Sequence, residues 1–304
     1  MADLRVALGS LALRNPVLAA AGTFGYGVEF AQAVRLSRLG ALVTKTLTRE
    51  ARDGHPPPRL VETPSGMLNA VGLQNVGLEA FLREVLPALR RHDVPVIVSI
   101  LGESPEELAE MTRTLDRADG ASAIELNLSC PNLNSPAELI AQDPEATFTM
   151  VQAAVQRTRK PVLAKLSPDV TDLTPIAQAA ERAGASALTV GNTFIGMSLD
   201  PAARRSRLGT LTGGLSGPAI RPLAVYRVWY TARSVRIPVI GVGGIVRAAD
   251  ALEFLLAGAA AVGVGTAHFA DPRAALRVLV GIERYLNRHR IGSVRELSGA
   301  LRQP

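Results

Sequence analysis

Short apolar runs rich in β-branched residues alternate along this chain with longer stretches of helical period. Eight runs stand out: Val17–Ala20, Leu42–Lys45, Val96–Ile100, Ala123–Leu128, Val162–Leu166, Ala187–Val190, Val239–Val242 and Ala261–Val264. The segments between them carry apolar positions at helical spacing, as in Pro105–Asp116 and Pro175–Ala183. Ser104 before Pro105 marks a helix start, because its hydroxyl can accept from an orphan N–H and proline suits the first helical position. Such alternation predicts βαβ units and a parallel sheet. Eight units predict a closed TIM (β/α)8 barrel of the α/β class. A doubly wound open sheet is the structural alternative.

Two connections exceed simple turns, Thr46–Gly77 and Gly191–Pro218. Both follow strands, so both are expected as long inserted loops at the C-terminal mouth, where barrel enzymes place their sites. No linker, repeat or low-complexity stretch divides the chain. Residues 1–304 are therefore expected to form a single barrel domain, a length common for one.

Composition adds limits. The chain is 47% hydrophobic and 20% charged, which is ordinary globular usage. Its net charge of +6 raises the question of nucleic acid. The arginines are scattered and aromatics make up only 4%, so a solvated surface is the better reading and no nucleic-acid partner is expected. The N-terminus lacks a signal-peptide pattern, and no run of about 18 apolar residues occurs, so no membrane contact is expected and the chain reads as soluble and cytoplasmic. The four histidines lie far apart, without metal-ligand spacing.

The lysines narrow the chemistry. Against thirty arginines there are three lysines, Lys45, Lys160 and Lys165. Lys45 and Lys165 fall at strand ends facing the mouth, both in one ring of the barrel. An ammonium there is costly without a partner. The arrangement suits an anion or an electron-rich cofactor; the bland alternative is a snorkelling surface lysine. Cys130 is the one cysteine, just beyond the fourth run and before Pro131. A lone cysteine is often a small buried hydrophobe. On a polar loop beside Asn127, Ser129, Asn132 and Asn134 it can equally act as base or nucleophile.

Glycine clusters close the list. Gly241–Ile245 follows the seventh run and Gly263–Thr266 the eighth. Loops after these two strands often form a phosphate site, where only glycine lets the backbone approach closely. Asn69, Asn127, Asn132 and Asn192 gather at the same rim and suit a planar ligand carrying amides and carbonyls. Ser216 and Gly217 suggest another close backbone approach.

Taken in order, NPVLAAAGTFG, VTKT, NAVGLQN, LNLSCPN, AKLSP, GNTFIGMSLD, TGGLSGPAI, GVGGI and GVGTA resemble the class 1 dihydroorotate dehydrogenases, nearest to the class 1B catalytic subunit. The resemblance spans nearly the whole chain. It implies oxidation of (S)-dihydroorotate to orotate in pyrimidine biosynthesis, with FMN as cofactor. By matching positions, FMN would contact Ala21, Gly22, Lys45, Thr46, Ser99, Asn127, Lys165, Gly191, Gly217, Gly243, Gly244, Gly265 and Thr266. Dihydroorotate would be held by Lys45, by Asn69, Ala70, Val71, Gly72 and Leu73, and by Asn127, Asn132, Asn192 and Thr193. Cys130 would be the base for the C5 proton, while the C6 hydride passes to the flavin. The family usually has asparagine where Ser99 stands and serine where Ala21 stands, which puts those side-chain contacts in question.

The resemblance further implies a homodimer, or a heterotetramer with an FAD and iron–sulfur subunit that passes electrons to NAD⁺. One cysteine cannot supply a Cys₄ cluster on this chain. Two other readings stay open: a dihydropyrimidine dehydrogenase-like flavin enzyme whose substrate lacks the carboxylate, and a non-redox barrel that holds a phosphorylated ligand.

Overall fold

The computed structural model describes residues 2–128 and 142–302. Eight parallel strands close into a barrel in chain order: β1 (Val17–Ala19), β2 (Ala41–Val43), β3 (Val96–Ile100), β4 (Ala121–Asn127), β5 (Val162–Leu166), β6 (Ala187–Val190), β7 (Val239–Val242) and β8 (Ala261–Val264). Each coincides, within about two residues at either end, with one of the apolar runs. The open-sheet alternative is excluded, because β8 pairs with β1 through Val262–Val17, Gly263–Leu18 and Val264–Ala19. β3 and β5 are buried along their whole length. Strands sandwiched between a barrel interior and a helical coat leave no solvent face, hence their continuous apolar runs.

Helices follow seven of the strands among the described residues. Pro105–Asp116 starts as the sequence indicates: the Ser104 hydroxyl accepts from Glu107 N–H at 3.2 Å, with Pro105 in the first turn. The helical stretch Leu78–Leu89 contains a wider π turn over Phe81–Val85. Pro87 sits just beyond it and has no N–H to give back to the preceding turn, which accounts for the local widening. The first connection, after β1, holds only two 3₁₀ turns, Val28–Phe30 and Leu36–Arg38. Its glycines Gly22, Gly25 and Gly27 all take positive φ, which breaks a regular helix.

The two long connections do not form separate loops. They pair into one antiparallel sheet over the mouth, ordered Phe194–Gly196, Gly213–Ser216, Gly66–Asn69 and Leu60–Thr63. A hairpin of Val6–Leu8 and Leu11–Leu13 lies at the opposite end, its turn residue Gly9 against Ser186 at the foot of β6. One apolar cluster runs through the barrel and its helical coat, and a small second cluster of Leu68, Ala70 and Leu208 sits under the mouth sheet. No helix among the described residues is long and apolar enough to cross a membrane.

Candidate active site

Inward side chains of an eight-stranded parallel barrel stack in rings of four from alternate strands. Following the register around the cylinder, with the one-residue rise per strand that closure at shear eight requires, assigns the upper rings. Val43, Glu125, Thr189 and Gly263 form one. Above it stand Ala20, Ser99, Lys165 and Val242. The topmost holds Lys45, Asn127, Gly191 and Gly265. The two lysines were expected to share one ring, and the register places them in different ones. Lys45 stands one level above Lys165, because it lies beyond the end of its strand while Lys165 lies inside β5.

A cavity of about 400 Å³ opens above these rings. It is lined by Ala21, Gly22, Lys45, Thr46, Asn127, Lys165, Gly191, Gly217, Gly243, Gly244, Gly265 and Thr266 among the residues expected at the cofactor. Of those expected at the substrate, Asn69, Val71, Leu73, Asn192 and Thr193 also line it. Three expected residues do not. Ser99 is fully buried one layer back, where its Oγ lies 3.0 Å from Thr46 Oγ1 and its N–H donates to Thr44 Oγ1. Thr46 Oγ1 in turn accepts from Asn127 Nδ2 at 3.1 Å, so Ser99 braces the wall instead of forming it. Ala70 and Gly72 are turned elsewhere: Ala70 packs with Leu68 and Leu208, and a Cβ on Gly72 would lie 2.5 Å from His55 N. Cys130 and Asn132 lie outside the described residues.

Lys160, the third lysine, belongs to neither ring. Its Nζ donates to Leu115 O at 2.7 Å and Ala118 O at 2.6 Å, closing the C-terminal end of helix Pro105–Asp116.

Charge at the site is mainly positive. Burial pushes the Lys45 ammonium below its usual range, nearby Arg59 pushes it further, and Glu29 partly offsets both. An anion placed beside Lys45 would relieve that cost. Arg59 also lines the cavity, and its guanidinium is held by the carbonyls of His55 and Asp53 and by Gln74 Oε1. Sequence reasoning missed Arg59, Gln74 and, beneath the site, Glu125. A carboxylate inside the apolar run AIELN was the signal for the last.

The glycine loops present unpaired donors to the cavity. The N–H groups of Gly244, Ile245, Gly265 and Thr266 donate to no protein atom among the described residues. A Cβ on Gly22 would meet nothing within 4 Å, and one on Gly265 nothing nearer than 3.8 Å, so both leave open space that a side chain would invade. Free N–H donors, open glycine walls and two ammonium groups fit a phosphorylated, electron-rich ring such as a flavin. The β7 loop is anchored from behind by Asp250, which is almost fully buried. Its Oδ2 accepts from Val246 N–H at 2.9 Å and Arg247 N–H at 2.8 Å, and its Oδ1 pairs with Arg221. Asp250→Ala is expected to destabilise the protein by about 2 kcal/mol, read by denaturant unfolding, since it strands a partly buried guanidinium and two N–H donors. No change in stability would show that the loop holds itself.

The family model for dihydroorotate dehydrogenase matches residues 3–286. The chain belongs to the dihydroorotate dehydrogenase family. It is 50% identical over 299 residues to the dihydroorotate dehydrogenase B (NAD(+)) catalytic subunit of Pelobacter propionicus, covering 98% of each chain. It is 51% identical over 295 residues to the protein of the same name from Desulforudis audaxviator, covering 97% of this chain and 96% of that one. Among solved structures, a family member from Eimeria tenella in complex with ferulenol superposes with a TM-score of 0.84 at 25% identity, covering 99% of this chain and 89% of the other. The likeness runs the whole length, as the ordered motifs implied, and it confirms the barrel. Among the described residues no cluster of His, Cys, Asp or Glu is placed to hold a metal ion.

Proposed function

We propose that the chain oxidises dihydroorotate to orotate as the catalytic subunit of a class 1B enzyme, with FMN in the mouth cavity. The observation that carries the reading is that a member of this family brings Lys45, Asn127 and Lys165 to the floor of one cavity bordered by Asn69 and Asn192. FMN, when bound, supplies the acceptor for the two electrons that leave the substrate. Gly243, Gly244, Gly265 and Thr266 would hold its phosphate, and Lys165 would hold the electron-rich edge of its ring.

The chain's own residues do the rest. Lys45 meets the substrate carboxylate, and that anion restores the charge which burial disfavours. Asn69, Asn127, Asn192 and Thr193, together with Asn132, offer donors and acceptors to the ring amides and carbonyls. Cys130 takes the C5 proton as thiolate, from the face opposite the flavin. Electrons then leave through an FAD and iron–sulfur partner subunit to NAD⁺, a reading supported by the "catalytic subunit" in the relatives' names. A homodimer of this chain with two such partners is part of the proposal, as is a cytoplasmic location.

The test is direct. Purified protein should bind FMN and show a flavin spectrum, and dihydroorotate should bleach it much faster than dihydrouracil. The opposite preference would turn the reading to a dihydropyrimidine enzyme. Protein that refuses FMN would leave a non-redox barrel.

A further inference from the structure

Directly below Lys165 lies a charge that the proposed chemistry does not use. Glu125 is 2% exposed and sits in the ring under Lys165, among Val43, Thr189 and Gly263. Gly263 has no side chain, and Val43 brings no polar atom. Thr189 Oγ1 donates to Glu125 Oε2 at 2.8 Å, while Oε1 is buried with no hydrogen-bond partner. Thr189 is the strand neighbour of Lys165 in register, as is Asn127 on the other side. To reach from β4 to a hydroxyl on β6, the Glu125 side chain must pass beneath Lys165, which stands on β5 between them.

A buried carboxylate with a single neutral donor is costly unless a cation compensates it. Lys165, itself only 7% exposed, is the cation of the ring above. The two make no direct ion pair within 4 Å, whereas Lys165 lines the cavity. Lys165 is therefore held between a fixed negative charge below and the ligand above.

We propose that Glu125 is a positioning residue that keeps Lys165 pointing into the cavity and moderates its pull on the electrons of the bound ring. The inference rests on the flavin reading above. A bare ammonium at the ring edge would favour the reduced, more negative ring strongly and trap the electrons there. The carboxylate one level down opposes that bias and keeps the bound ring able to pass its electrons onward.

The experiment measures the two-electron reduction potential of FMN bound to the whole protein, in wild type, Glu125→Gln and Glu125→Asp, alongside the affinity for oxidised FMN. In Glu125→Gln the ratio of affinities for reduced over oxidised FMN is expected to rise about tenfold, an upward shift of about 30 mV. Glu125→Asp keeps the charge and should stay near wild type, whereas a purely packing role would move both variants alike or neither. Glu125→Met, neutral and of similar length, reads the same shift should the glutamine variant not fold. A potential unchanged in the neutral variants, with FMN bound as in wild type, overturns the proposal. Wild-type protein that takes up no FMN would instead defeat the flavin reading on which it stands.

Discussion

Cys130→Ser is expected to slow reduction of the bound flavin by dihydroorotate at least a hundredfold, in the range general-base removal commonly costs. A free thiol ionises near pH 8.5, so a few per cent is already thiolate at neutral pH. A serine hydroxyl has no comparable anionic population, and among the described residues no histidine lines the cavity to activate one. The substrate contacts proposed for Lys45, Asn69 and Asn192 do not involve the sulfur. Substrate affinity should therefore change little while the rate of bleaching collapses, the signature of an interaction made only in the transition state. Stopped-flow absorbance at the flavin band separates the two. An unchanged bleaching rate would remove Cys130 from the chemistry.

Gly191→Ala should produce the largest structural loss at the site. Gly191 follows β6 in the top ring, with φ +124°, and a Cβ there would lie 2.0 Å from the carbonyl oxygen of Val242. That oxygen belongs to strand β7 and cannot swing aside as a side-chain tip can. Backbone strain and overpacking each cost on the order of 1–3 kcal/mol, so a combined loss of about 4 kcal/mol is expected. The same displacement would open the joint between β6 and β7, next to Gly243. Thermal unfolding should show a much less stable protein, and FMN uptake should fall with it. Gly22→Ala is the contrast: φ there is also positive, but nothing lies within 4 Å, so it should retain more of the fold while intruding on the cavity. Equal stability of Gly191→Ala and wild type would show that β6 and β7 can separate without cost.

The barrel was legible because a parallel strand covered on both sides must be apolar along its length, and eight such runs can be counted. The glycine loops after β7 and β8 were legible for a similar reason, since close backbone approach leaves few alternatives to glycine. Other features were not. Ser99 occupies a strand position in the same ring as Lys165, and only the structure shows that its hydroxyl is taken up by Thr46 and does not reach the cavity. Lys45 and Lys165 both sit at strand ends, yet their heights differ by one ring, a consequence of strand tilt that a linear pattern does not contain. Ala70 and Gly72 lie just past a strand, where positive φ at Gly72 and Leu73 turns the chain, so Val71, Leu73 and Gln74 reach the cavity while Ala70 and Gly72 do not. Glu125 was overlooked because a single carboxylate in an apolar run is easily assigned to the strand's outer face.

The mouth sheet bears on how this protein comes to be made. Residues 66–69 pair on one side with their hairpin partner 60–63, but on the other side only with 213–216, and Asn69 is steadied by the carbonyl of Gly214. A chain emerging from the ribosome must therefore leave one edge of that early hairpin unpaired until more than two thirds of the polypeptide exists. Pairings this distant in sequence form slowly. The ligand-facing wall is thus among the late parts to assemble, and a newly synthesised molecule passes through a stage with much of the barrel in place and no competent pocket.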